Sequence, residues 1–407
     1  MTTETEVLII GGGLVGASLA CALGQAGVHT RIVETSAFGA GQAAGYDERS
    51  IALAQGSQRI FTGLGLWQAL EADACPIHTI HVSDRGHFGF TRLRREQEGV
   101  PALGYVATAR ALGRVLADQL ERLASVEVLA PARVTAVAVD GDGVRAAVEH
   151  QGVSRTCTAR LLVAADGARS TVREQLGIAT TRRDYEQTAL IANVSTDLPH
   201  RNIAYERFTD SGPLALLPMH AGRSALVWTL HADQGDAVMA LDDAAFLARL
   251  QERFGYRLGR FVRVGVRQAF PLHLLQAGES VRPRLALIGN AMHTLHPIAG
   301  QGFNLGLRDV AALVEVILDA RRAGVDSGDL TVLRRYAAGR QADQDRVTLF
   351  TDGMVRLFGQ SLPPVAWLRD AGMLALDLCP PAKRWFGRVT MGRAGRLPRL
   401  ARGLPGQ

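Results

Sequence analysis

The first thirty-four residues change hydrophobic period twice. Residues 7–10 are an unbroken apolar run, residues 14–25 carry apolar positions at helical spacing, and residues 30–34 return to a short β-rich run. Glycines 11, 12, 13 and 16 sit between the first run and the helix. This order predicts strand, glycine turn, helix, strand, which is the βαβ unit of a parallel sheet. Residues 109–123 again have helical spacing. Residues 133–139 and 144–148 alternate like a hairpin with its turn at 140–143, and 160–165 reads as a buried strand ending at Asp166 and Gly167. From 188 to 266 the period becomes two, with strands expected at 189–195, 203–208, 214–218, 225–230 and 259–268 and one helix near 242–254. Such a block between segments of nucleotide-binding character predicts a separate sheet domain. Residues 284–289 predict a strand returning to the first domain, followed by a long helix over 303–322. Residues 330–385 are mainly helical, interrupted at Pro363-Pro364 and Pro380-Pro381.

Composition narrows the class. The chain has 407 residues, 47% apolar and 21% charged, enough for two or three cores at roughly 150 residues per domain. The net charge of +6 is modest for this length and gives no case for nucleic acid. Lys383 is the only lysine, so the positive charge is almost all arginine. Four cysteines lie far apart with no paired Cys/His spacing, which predicts neither zinc nor a disulfide scaffold and fits a reduced, cytoplasmic setting. The polar start and glycine-broken apolar run predict neither a signal peptide nor a spanning helix.

Residues 11–16, Gly-Gly-Gly-Leu-Val-Gly, fit the G-x-G-x-x-G pattern of a dinucleotide loop. Gly11 would serve the tight turn, Gly13 the backbone approach to a pyrophosphate, and Gly16 helix–strand packing. Glu34 follows at close to the expected twenty residues; a carboxylate there accepts from a ribose 2′-hydroxyl and repels a 2′-phosphate, so the site should hold FAD or NAD and not NADP. Two further segments favour FAD. One is Asp166-Gly167 at the end of a strand. The other runs from Gly289-Asn290 through Pro297, Gly300, Gln301, Gly302, Phe303 and Asn304 into the long helix, whose free N–H groups suit the negative edge of a reduced flavin. His293 and His296 lie three apart in that segment but lack further ligands at suitable spacing, so no metal is expected.

With these three motifs the sequence resembles the single-component FAD-dependent aromatic hydroxylases, over roughly residues 1–350. The stretches 47–54 (DERSIALA), 81–90 (HVSDRGHFGF), 206–219 (ERFTDSGPLALLPM) and 294–309 (TLHPIAGQGFNLGLRD) are similar to the ubiquinone-biosynthesis branch in particular. The resemblance implies an α/β protein: a Rossmann-like FAD domain of the p-hydroxybenzoate-hydroxylase type, an α+β second domain with a β-sheet for substrate, and a C-terminal helical segment. Its implied boundaries are 1–77, 100–182 and 270–345 for the FAD domain, 78–99 for an excursion into the sheet domain, 183–269 for that domain, and 346–407 for the helical tail. It assigns Gly11, Gly13, Gly16 and Glu34 to the ADP half of FAD, Asp166 to the pyrophosphate–ribityl region, Arg49 to the flavin ring, and residues 300–304 to the loop flanking that ring. Asn290 stands where many relatives have Asp, and Ala109 where many have a polar side chain, with Arg110 as the substitute.

The implied chemistry is hydroxylation of a polyprenylated phenol, 2-polyprenyl-6-methoxyphenol to the 1,4-benzoquinol, through a flavin C4a-hydroperoxide with O2 and transient NADPH or NADH. Candidate substrate-facing residues in the sheet block are Leu214, Leu216, Pro218, Met219, Val227 and Trp228, with Pro297 from the flavin loop. No general base emerges: Tyr205, Arg207 and His231 lie in the right block, but their spacing singles none of them out. Residues 347–358 read as packing on the FAD domain. For the arginine-rich end two readings stand, a solvated tail or a peripheral contact with the inner membrane face or with other ubiquinone-synthesis proteins. A hydroxylase of another ring position or of small aromatics, a prenyl-chain reductase and a non-catalytic prenyl carrier are the alternatives.

Overall fold

A computed structural model describes residues 5–37, 48–141, 143–358 and 363–406. Asp47 of the 47–54 stretch and Asp142 of the expected hairpin turn lie outside the described residues. At the centre of the first sheet Thr5–Ile10 runs parallel to Thr30–Val33 on one side and to Val153–Ala164 on the other. Leu285–Leu287 and Val126–Leu129 extend it in parallel, and the hairpin Ala132–Val139 with Val144–His150 joins the outer part of Val153–Ala164. The central strands are apolar at successive positions because both faces are covered. Leu161 and Val163 pack under the helices Leu14–Gln25, Ala109–Glu121 and Gln301–Arg322, while Leu162 and Ala164 pack on the opposite side with Val172 and Ile178.

The second sheet has nine strands, in which Thr180–Thr196 lies between Arg223–His231 and Gln268–Ala277. Gly212–Pro218, Ile203–Thr209, Thr79–Asp84 and Phe90–Arg94 complete the far side. The segment expected as one strand over 259–268 is two: Phe261–Val264 pairs near the end of Thr180–Thr196, and Gln268–Ala277 is a separate strand ten residues long. Three short strands, Ser50–Ala54, Gly104–Thr108 and Ala74–Ile77, form a small sheet that the periodicity did not predict. After Leu330–Phe358 come the helices Pro363–Leu378 and Pro380–Thr390. The expected proline interruptions are helix starts, where proline's missing N–H costs nothing. Among the described residues no helix is long and apolar enough to cross a membrane.

Candidate active site

The nucleotide end is built from backbone. Gly11 has φ +100°, and a Cβ there would overlap the Ala165 carbonyl; one at Gly16 would overlap the Gly11 carbonyl. Both positions exclude a side chain so that turn, helix and neighbouring strand can close on one another. Gly13 differs, since a Cβ there would meet open space. It precedes the helix Leu14–Gln25, which has no side-chain cap and no acid in its first turn. An uncapped helix start beside open space suits a pyrophosphate. Glu34 lies just past Thr30–Val33; its carboxylate accepts from Gly12 N at 2.6 Å and from Ser36 N at 3.0 Å, which fixes it beside the loop. Asp166 accepts from Val172 N at 3.2 Å through Oδ2, while its Oδ1 is buried without a partner. A buried acceptor left open is what a bound hydroxyl would satisfy. These residues fit the diphosphate and ribityl parts of FAD.

The flavin loop is held from behind by a buried carboxylate. Asp309 accepts from Gly289 N at 3.2 Å, His293 Nε2 at 2.9 Å, Arg340 Nε at 2.9 Å and Gln344 Nε2 at 3.0 Å. Burial alone would raise its pKa, but the charges and hydrogen bonds of His293 and Arg340 outweigh that and hold the carboxyl well below the usual range. Gly300 has φ +58° and faces Ala52, and Gly302 faces open space. The helix Gln301–Arg322 starts without a side-chain cap, leaving N–H groups toward that space.

Asn304, expected in the loop that flanks the flavin ring, borders the cavity with its side chain bonded back to the protein. Its Oδ1 accepts from Ala54 N at 2.8 Å and Ser57 Oγ at 2.6 Å, and its Nδ2 donates to Ala52 O and Gly300 O. Its side chain pins the loop to the strand Ser50–Ala54. Arg110 donates through its Nε to the buried Glu48 carboxylate at 2.6 Å, while its side chain stays half exposed. Arg49 and Asn290 are exposed and border the cavity described next.

A cavity of about 730 Å³ joins the flavin loop, the second sheet and the C-terminal helices. Gly300, Gln301, Gly302, Phe303, Asn304 and Pro297 form one side; Val82, Ala215, Leu217 and Val227 come from the sheet. Met354, Phe358, Met373, Leu376 and Phe386 close it from the helices. Leu216 and Trp228, expected on this wall, face away. Leu214 pairs with Trp228 and Leu216 with Leu226, and these four pack with Phe246 and Leu250 against the helix Asp243–Phe254. Adjacent residues on a strand point to opposite faces, so Ala215, Leu217, Ala225 and Val227 make the wall. Of the sheet residues expected there, Val227 lines the cavity, whereas Pro218 is buried opposite Ser224 and Met219 packs with Ile77 and Val106. Residues 347–358, expected simply to pack on the FAD domain, also supply Phe350, Met354 and Phe358 to the cavity, and Phe358 stacks on Phe208 with ring centroids 3.5 Å apart.

One acid stands in this apolar wall. Glu206 lies opposite Ala215 and Val82 on the neighbouring strands, and burial pushes its carboxyl up to about 7. Sequence reasoning named its neighbours Tyr205 and Arg207 and missed it; the signal was the alternation of Ala204, Glu206 and Phe208, which places an acid on an otherwise apolar face. His296 is buried with both ring nitrogens unpartnered, and burial lowers its pKa to about 4, so it is neutral. Asp84, His87 and Asp370 cluster closely enough to hold a cation, but Arg369 pairs with Asp84 and His87 with Asp370 at 3.3 Å. Burial pushes the Cys21 thiol up to about 12 and Cys75 up to about 11, too high for a nucleophile.

The family match is decisive. Residues 4–351 match the FAD binding domain family. The chain belongs to it. Along nearly its full length this flavoprotein is 42% identical to the ubiquinone hydroxylase UbiL of Rhodospirillum rubrum, covering 98% of this chain and 93% of that protein. It is 32% identical to the 3-demethoxyubiquinol 3-hydroxylase of Escherichia coli, covering 96% and 100%. In fold it is similar to the crystal structure of p-nitrophenol 4-monooxygenase PnpA from Pseudomonas putida, with a TM-score of 0.81, 21% identity, and coverage of 98% of this chain and 100% of that one. The flavoprotein is thus an FAD-dependent aromatic hydroxylase of the ubiquinone-biosynthesis branch, a family whose usual reductant is NAD(P)H.

Proposed function

We propose that the hydroxylase acts on a polyprenylated phenol of ubiquinone synthesis, with 2-polyprenyl-6-methoxyphenol as its substrate and the 1,4-benzoquinol as product. The observation that carries this reading is the single cavity running from the flavin loop to the apolar faces of the C-terminal helices. A small aromatic needs the inner part alone. A ring with a long apolar tail uses both, and Leu368, 73% exposed while bordering the cavity, stands where the tail would leave. FAD held at this site and reduced by NAD(P)H would supply the chemistry by which one oxygen atom of O2 enters the ring.

The chain's own residues would divide the remaining work. Gly13, Glu34 and Asp166 would hold the nucleotide, with Arg49, Asn290 and residues 300–303 beside the ring system. Val227, Leu217, Phe358 and Met373 would exclude water and guide the tail. Trp367 and Trp385, 68% and 64% exposed on the same helices, and the exposed Arg384 and Arg388 favour a peripheral contact with an anionic lipid surface, where such a substrate dissolves. The test is product identification by mass and NMR after incubating the holoenzyme with NADPH, O2 and 2-polyprenyl-6-methoxyphenol. A product bearing one added oxygen para to the phenol oxygen is expected; turnover of short phenols with none of the prenylated ones would refute the reading.

A further inference from the structure

We propose that Glu206 is the group that receives the phenol hydroxyl of the substrate and takes its proton during hydroxylation. This inference rests on the proposed phenolic substrate. Among the described residues that line the cavity, Glu206 is the one carboxylate; the other ionisable groups there are Arg49, Tyr205 and Arg369. Arg369 is already paired with Asp84 and lies over the Phe358 ring. Tyr205 packs edge-on against Phe254, 5.5 Å between centroids, in the core behind the sheet, and Arg207 follows the same alternation. His231 is exposed, at the end of its strand.

The setting of Glu206 gives it nothing else to do. Its cross-strand neighbours are Ala215 and Val82, and Ala204 and Phe208 flank it along the strand on the cavity face. No charged group offsets its burial, and desolvation is the whole cause of its shift to about 7. A fold pays for an unpaired carboxyl in an apolar wall without structural return, and such sites are where function is stored. A phenol is a suitable ligand, because it is a planar apolar ring with one donor to offer an acceptor.

The proton balance is simple. As the ring carbon forms its bond to the incoming oxygen, the O–O bond inherited from O2 would break with its electron pair going to the oxygen left behind; the phenol O–H bond breaks, its electron pair stays on the ring oxygen as the ring C=O forms, and the proton forms a new O–H bond on the Glu206 carboxylate. Loss of the ring C–H proton, relayed by water to the oxygen left behind, restores aromaticity, and Glu206 returns its proton to the quinol oxygen. Phenol alone is too weak an acid for full transfer to Glu206 beforehand; the transfer becomes favourable as the ring loses electron density in the transition state. An acceptor poised near the working pH is the efficient choice for that task.

The experiment is the pH dependence of kcat/KM for the FAD-loaded enzyme with a 2-prenyl-6-methoxyphenol, in the wild type, Glu206→Gln and Glu206→Asp. Wild-type kcat/KM should fall tenfold per pH unit below about pH 7. Glu206→Gln should lose that limb and drop about a hundredfold in kcat. It should keep its flavin content and melt no lower than the wild type at pH 8, because it loses an unfavourably buried charge. Glu206→Asp should keep the limb and recover part of the rate. Glu206→Gln within threefold of wild type and with the same limb overturns the assignment while leaving the substrate reading intact. A wild type that makes no hydroxylated prenylphenol overturns both. Should Glu206→Gln fail to hold FAD, Glu206→Asp decides: a profile flat from pH 5.5 to 8.5 overturns the assignment, and a retained limb supports it.

Discussion

The two ends of the site are built in different materials. At the nucleotide end most of the surface offered to a ligand is main-chain: the glycine turn at 11–16, an uncapped helix start, and a second uncapped start at Gly300, with the carboxylates of Glu34 and Asp166 beside them. At the substrate end the surface is side-chain, contributed by one face of the second sheet and by three consecutive C-terminal helices more than a hundred residues further along the chain. A backbone site tolerates almost no change at its glycines and is indifferent to most neighbours. A side-chain wall tolerates change residue by residue, and its identity depends on which way each strand residue points.

The sharpest way to break the first end is Gly16→Val. Its Cβ would overlap the Gly11 carbonyl, and the main chain on both sides is packed, so neither partner can give. Purified Gly16→Val should carry less than about a tenth of the wild-type flavin by absorbance, if it folds at all. Near-stoichiometric yellow protein would show that the turn is looser than its geometry and would move the nucleotide away from it.

The same contrast explains what could be read from sequence. The βαβ turn, Glu34, Asp166 and the flavin loop are local patterns, each within a few residues of its strand or helix, and spacing together with the family resemblance singled them out. The face of Gly212–Pro218 is set by which strands pair beside it and which helix covers it, and those partners lie at 223–231 and 243–254. Leu214, Leu216 and Trp228 are large and apolar, which made them look like a substrate wall; the cavity side carries the smaller Ala215 and Ala225, since a space for a guest is lined by residues that leave room. Asn304 was found as a motif residue, but three of its four hydrogen bonds run to residues 52–57, which no spacing within 289–309 could show. Glu206 was hidden for a simpler reason. Acids on strands are usually solvated, and the alternation with Ala204 and Phe208 shows only that this one shares an apolar face, not what that face meets.

The neighbours Val227 and Trp228 test the wall directly, because they lie side by side on one strand with opposite fates. Trp228 is fully buried against Phe246, 5.8 Å between centroids. Trp228→Ala should lower unfolding free energy by about 3–5 kcal/mol in denaturant titration, with KM for substrate little changed in the protein that remains folded. Val227→Phe should do the reverse: stability within about 1.5 kcal/mol of wild type, because the added atoms enter open space, and KM for a prenylated phenol raised about tenfold. Exchange of these two outcomes would mean that the sheet presents its other face to the substrate.

The smallest expected effect lies at the outer rim of the side-chain end. Trp367 and Trp385 are exposed on the helices Pro363–Leu378 and Pro380–Thr390, whose inner residues Met373, Leu376 and Phe386 line the cavity. Removing the whole tail would open that cavity, so truncation could not separate membrane contact from loss of the site. The double variant Trp367→Ser, Trp385→Ser leaves every cavity-lining residue in place. If these rings enter the interface of a bilayer, partitioning onto liposomes rich in phosphatidylglycerol should fall about tenfold in co-sedimentation, while turnover of a short-chain, water-soluble phenol stays at the wild-type rate. Raised salt should weaken binding of both proteins, because exposed Arg384 and Arg388 act through a screened attraction. Unchanged partitioning at low salt would leave the rim without a lipid role, and the tail of the substrate would then have to reach the cavity from solution or from a carrier.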